Sequence, residues 1–94
     1  PEGCIAAAQT LAAQLYGSDR CFFAVNGTTQ AIQAMLMTAV KPGGKVLIPR
    51  NAHRSVDGGL LLGDLEPVYV LPQFDAVFGI NTQVTAGQIE EALQ

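Results

Sequence analysis

The chain has 94 residues, 49% of them hydrophobic and only 14% charged, with a formal net charge of −3. Intrinsic disorder needs low hydrophobicity and high net charge and is excluded, and the sign of the charge argues against a basic nucleic-acid binder. A globule of this length should expose about 5,000 Å² to water, which thirteen charged side chains cover thinly, so the sequence reads as a piece of a larger body.

Residues 3–16 are Ala-rich, with Ile5, Ala8, Leu11, Ala12 and Leu15 at helical spacing, and predict a first helix. Gly17 supplies the stop, and Ser18-Asp19 the turn. Residues 20–25 (RCFFAV) are nearly all apolar. A strand buried on both faces of a parallel sheet has that pattern. Asn26-Gly27-Thr28-Thr29 breaks the run. Residues 30–40 predict a second helix, with Ala31, Ala34, Met35 and Thr38 on one face.

Lys41-Pro42-Gly43-Gly44 is a turn signal, and residues 45–49 (KVLIP) are a second short buried strand. A loop at 50–52 leads to a third predicted helix, from His53 to about Leu62. Gly58 and Gly59 weaken it by about 1 kcal/mol each relative to Ala; close packing against a neighbour is one reason to carry them. Residues 66–71 (EPVYVL) are a third strand, with Pro67 near its start, where proline is tolerated. Residues 72–82 read as irregular. Thr85 and Gln88 fit a capping box and open a fourth helix through Leu93. The order α-β-α-β-α-β-α implies a three-layer α/β/α arrangement around a mostly parallel sheet. No internal repeat, low-complexity tract or linker interrupts it.

No charged n-region followed by an apolar stretch marks a signal peptide. The longest apolar run, residues 58–63, is far short of the roughly 18 residues a membrane span needs. Cys4 and Cys21 form neither a disulfide framework nor a metal-ligand pattern. Both lie in apolar stretches and read as small buried hydrophobes, which fits a reducing, cytoplasmic setting.

Ligands of open α/β sheets bind beyond the carboxyl ends of the strands. Two such ends here are rich in small and polar residues. At Val25-Asn26-Gly27-Thr28-Thr29, a predicted strand runs through a glycine turn into a helix. The first helical N–H groups lack intrahelical partners and carry partial positive charge, so this end suits an anion, most naturally a phosphate. The P-loop and G-x-G-x-x-G spacings are both absent, and simple capping by Asn26 or Thr28 is the competing reading. At Arg50-Asn51-Ala52-His53-Arg54-Ser55 stands the chain's one histidine. The pattern leaves open a base, a ligand, a stacking ring or a helix cap. Asp57, one helical turn on, is placed to orient it. No metal is expected, since a lone histidine without cysteines or paired carboxylates is a poor metal site. A Cys–His nucleophile is disfavoured, because neither cysteine sits at an electropositive strand-to-helix turn.

These blocks resemble a known family. Gly3-Cys4-Ile5 with the Ala-rich helix and Leu15-Tyr16-Gly17, then residues 22–31 (FFAVNGTTQA), are similar to the start of the major domain of the ornithine/lysine/arginine decarboxylases. The likeness continues through residues 42–48 (PGGKVLI), 50–55 (RNAHRS), Pro67-Val68-Tyr69, Phe78-Gly79-Ile80 and the closing helix. It implies a pyridoxal 5'-phosphate (PLP) enzyme with the aspartate-aminotransferase fold, the PLP-dependent transferase-like large domain. Residues 1–94 would be one incomplete part of that single domain.

The resemblance also implies roles. Gly27, Thr28 and Thr29 would hold the cofactor phosphate. His53 would stack on the pyridine ring, as part of the catalytic machinery. The substrate would be arginine, lysine or ornithine, released as CO2 and a diamine or polyamine product, in a homodimer or higher homo-oligomer. The family's Schiff-base lysine, in a Ser-x-His-Lys stretch, and its pyridine-nitrogen aspartate have no match here, so the 94 residues alone should be inactive. Lys41 and Lys45 flank a surface turn; Asp57 and Asp64 lie in the wrong context. In the family's fold the strand at 20–25 is not a neighbour of the strand at 45–49, so the two should not be hydrogen-bonded. The alternatives are another PLP enzyme of this fold, an aminotransferase or carbon–sulfur lyase, or a non-catalytic phosphate- or nucleotide-binding α/β module.

Overall fold

A computed structural model describes residues 2–94. Helix α1 spans Gly3–Tyr16, as its alanine content and apolar spacing predict. Gly17 ends it in the left-handed region, with φ 68°. The Gly17 N–H donates to the Gln14 carbonyl and the Ser18 N–H to the Ala13 carbonyl. This paired closure satisfies carbonyls that the helix end leaves free. Only Ala13 of α1 is buried.

Residues 20–25 depart from expectation, for they form no strand. A strand exists only where a neighbour completes its ladder, and among the described residues no other segment pairs with this one. Phe22 and Val25 are 77% and 90% exposed, so the expected burial is absent as well. Cys4 is likewise exposed and Cys21 half-buried, against the reading of both as buried hydrophobes.

The packed part begins at helix α2, Gly27–Ala39, three residues earlier than the sequence pattern placed it. Strand β1 (Lys45–Pro49), helix α3 (Arg54–Gly63) and strand β2 (Glu66–Val70) follow. β1 and β2 pair in parallel, Lys45 opposite Glu66 through Pro49 opposite Val70. β1 pairs with β2 and not with residues 20–25, as expected from the resemblance. The turn after α2 is clipped to the entry of β2: the Gly43 N–H donates to the Asp64 carbonyl and the Glu66 N–H to the Gly44 carbonyl.

The core sits between this strand pair and the two helices. Leu36 of α2, Ile48 of β1, Leu60 of α3 and Leu65 are its buried centre, with Ile32, Val46, Ala52 and Val56 packed around them. Gly59 lets the helices approach. A Cβ on Gly59 would lie 2.6 Å from Leu36 Cδ1, and one on Gly58 2.7 Å from Gln33 Nε2. At Gly59 the neighbour is a buried core residue, which accounts for the glycine there, whereas at Gly58 the Gln33 amide is the free end of a flexible side chain and can swing aside.

Residues 72–82, read as irregular, contain a short antiparallel ribbon. β3 (Phe74–Asp75) pairs with β4 (Ile80–Asn81). The Asp75 carboxylate accepts the N–H groups of Val77 and Phe78 and shapes the turn. Helix α4 (Ala86–Ala92) opens on the expected capping box of Thr85 and Gln88. The Gln88 amide also donates to the Leu71 carbonyl and ties α4 to the end of β2. The architecture is α/β, with helices packed on parallel strands. It is not compact. The accessible surface is 7336 Å², and the radius of gyration is 16.7 Å where a compact chain of this length has about 12 Å.

Candidate cofactor site at two helix N-termini

The start of α2 is unusually open. Asn26 occupies the N-cap position, yet its side chain makes no cap hydrogen bond. No acidic residue lies in the first turn. Gly27 takes φ 84°, a left-handed conformation that glycine adopts without strain. Thr28 and Thr29 follow within the first turn. The other two helical threonines engage their hydroxyls, Thr10 with the Ala6 carbonyl and Thr38 with the Ala34 carbonyl. Thr28 and Thr29 have no such acceptor, because residues 24 and 25 are not helical. Free N–H groups, a positive helix end and two exposed hydroxyls make this end a receptor for an anion. The α3 and α4 N-termini are both capped by side chains. The α1 start also lacks a side-chain cap but has no pair of hydroxyls.

His53 is the N-cap of α3. Its Nδ1 accepts the Ser55 backbone N–H at 3.1 Å and lies 2.8 Å from Ser55 Oγ. The imidazole is thereby tied down at one nitrogen while the residue stays exposed. Among the described residues Asp57 makes no hydrogen bond to the ring, so the orienting role expected for it falls to Ser55. Arg50, in the same motif, is turned elsewhere: its guanidinium lies 4.9 Å over the Tyr69 ring.

Helix packing brings the two ends together. Gly58 and Gly59 lie beside Gln33 and Leu36, and Gly63 beside Met37, so α2 and α3 run in the same direction. Their N-termini therefore share one end of the molecule. Thr29 and His53 line a single cleft of about 500 Å³, with Gln33, Ser55 and Asp57. Gly27 and Thr28 stand at the same helix end but outside this lining. Lys41 and Lys45 are exposed and do not line the cleft either. Among the described residues no group of three or more His, Cys, Asp or Glu side chains could hold a metal ion, and no helix is long and apolar enough to cross a membrane.

The sequence points to Gly27, Thr28, Thr29 and His53 at two helix starts, of which only the second follows a strand, and it does not single out Ser55. The signal was present: a helix start with a polar residue two positions after its cap. It was masked by Asp57, whose charge and spacing looked more suitable.

The family model described as "Orn/Lys/Arg decarboxylase, major domain" matches residues 1–94. The chain is 41% identical over 93 residues to an arginine decarboxylase of Halalkalibacterium halodurans, covering 99% of this chain and 19% of that protein. It is 28% identical over 85 residues to the inducible lysine decarboxylase of Escherichia coli K12, covering 90% of this chain and 12% of that protein. The solved structure of the E. coli constitutive lysine decarboxylase superposes with a TM-score of 0.77 at 29% identity, over 90% of this chain and 12% of that one. The chain thus spans about a fifth or less of the relatives it matches.

Proposed function

Because this chain belongs to the Orn/Lys/Arg decarboxylase family, matching its major domain over residues 1–94, we propose that the full-length protein is a PLP-dependent decarboxylase of a basic amino acid. It would release CO2 and leave a diamine or polyamine product. The observation that carries the reading is the convergence of an open, hydroxyl-bearing helix N-terminus with a tethered imidazole at one end of α2 and α3. Arginine is the first substrate to offer, because the arginine decarboxylase is 41% identical and the lysine decarboxylase 28%.

The donor set fits the cofactor. Gly27 lets the backbone close on a phosphate, and the Thr28 and Thr29 hydroxyls have no competing acceptor in the helix. Hydrogen bonds to a charged phosphate are the strong kind, about 1.5–3 kcal/mol each. His53 offers an exposed aromatic face that its Ser55 tether keeps from turning freely. His53 would stack on the cofactor ring and hold its plane fixed, against which a substrate bond can be oriented. Bound PLP supplies an electron sink for the pair left behind when CO2 departs. The covalent lysine is assigned to residues outside these 94, since Lys41 and Lys45 stand away from the cleft. A homo-oligomeric, cytoplasmic enzyme is part of the same proposal.

The test is to purify the full-length protein with PLP and offer arginine, lysine and ornithine separately. CO2 release from at least one is expected. Silence with all three, in protein that has bound PLP, rejects the substrate class. Amino transfer to a keto acid instead points to an aminotransferase. Failure to bind PLP at all leaves the phosphate-binding module.

A further inference from the structure

We propose that Ser55 is the positioning residue for His53: it holds Nδ1 as an acceptor, so that the ring carries its proton on Nε2 and keeps one rotation. The consequence for PLP rests on the function proposed above. The effect on the ring does not.

A backbone N–H can only donate. The Ser55 N–H at 3.1 Å from Nδ1 therefore requires the lone pair of that nitrogen to face it. The ring's proton is left on Nε2. With Nδ1 already an acceptor, Ser55 Oγ at 2.8 Å is a second donor to the same atom. The side chain has few other options, being only 3% exposed. As the second residue of α3, Ser55 has no helical carbonyl four residues before it, so the back-bond that Thr10 and Thr38 make is closed to it, and its hydroxyl bonds to the ring. The two other side chains suggested by charge and motif do not hold the ring: Asp57 is exposed without a bond to His53, and Arg50 is engaged with Tyr69.

The two donors of Ser55 are separable. Ser55→Ala deletes the hydroxyl but keeps the backbone N–H, so Nδ1 retains only the longer of its two contacts, at 3.1 Å, and the ring is held less firmly. A purely structural role would show in stability. A positioning role shows in the ring.

The experiment uses full-length apo-protein labelled with ring-15N histidine, read by magic-angle-spinning NMR. The His53 signals are identified by their loss in His53→Gln. In the wild type we expect one population, with Nδ1 unprotonated and Nε2 protonated. Ser55→Ala should add a second ring population, and Ser55→Thr, which restores the hydroxyl, should remove it. The PLP dissociation constant of Ser55→Ala should rise roughly three- to tenfold, the scale of one neutral hydrogen bond, while the urea midpoint stays near wild type. An unchanged ring spectrum in Ser55→Ala overturns the proposal. Should that variant fail to fold, Ser55→Cys, a near-isostere with a weak donor, must show the second population, and its absence there counts equally against the proposal. If wild-type apo-protein takes up no PLP, the proposed function fails while the ring spectrum still decides the role of Ser55.

Discussion

Residues 3–25 and residues 27–71 obey the same local rules and reach different ends. The first stretch builds a 14-residue helix with a well-formed glycine stop, yet Leu15, Tyr16, Phe22 and Val25 are each more than three-quarters exposed. The second builds two helices and two strands whose apolar side chains close on one another, around Leu36, Ile48 and Leu60. The difference lies in partners, not in composition. A helix satisfies its own backbone from within the segment, so α1 forms whether or not its apolar face is covered. A strand cannot, so residues 20–25 remain unpaired despite being the most apolar run at that end. The candidate site lies at the boundary between the two stretches, where α2 begins.

That contrast can be broken or sharpened by substitution. The largest effect belongs to the packed part. Ile48→Ala removes side-chain volume at a residue 4% exposed and should cost about 2–5 kcal/mol of stability, measured by urea denaturation. A loss below about 1 kcal/mol would show that residues 27–71 are not the stable unit described here.

Next comes the boundary. Thr28→Ala with Thr29→Ala should weaken PLP binding to the full-length apo-protein by at least about a hundredfold, from the loss of two charge-assisted hydrogen bonds. Equilibrium dialysis against the cofactor measures it, and an unchanged affinity removes the phosphate assignment.

Val25→Ser tests the open part directly. In the 94-residue chain it should change stability by less than about 0.5 kcal/mol, as exposed substitutions do. In the full-length protein we expect a loss of about 1.5–3 kcal/mol, the scale of burying a valine. Equal effects in both would mean that residues 20–25 stay uncovered in the whole protein.

The smallest effect tests the local rule alone. Gly17→Ala forces an L-residue into φ 68° and should cost about 1–2 kcal/mol, seen as fraying of α1 by circular dichroism. Residues 27–71 should keep their unfolding midpoint.

By itself the sequence determined what a few neighbouring residues can settle. The limits of α1, its stop at Gly17, the Thr85–Gln88 capping box, strands β1 and β2, and the helix start at His53 were legible, because caps, turns and apolar periods act over one or two helical turns. The tertiary structure decided the rest. Residues 20–25 had strand composition but no ladder partner. Two-residue strands such as β3 and β4 are too short to show a period of two. The start of α2 moved back to Gly27 because no apolar pattern marks a first turn made of Gly-Thr-Thr. Asp57 looked the better partner for His53 by charge and spacing, yet the ring turned to Ser55, whose backbone and hydroxyl donors lie within reach. That Thr29 and His53 line one cleft depends on α2 and α3 lying parallel in close contact, which Gly59 allows by carrying no Cβ against Leu36. Contacts of that kind depend on which surfaces exclude water together, a property that local spacing along the chain does not encode.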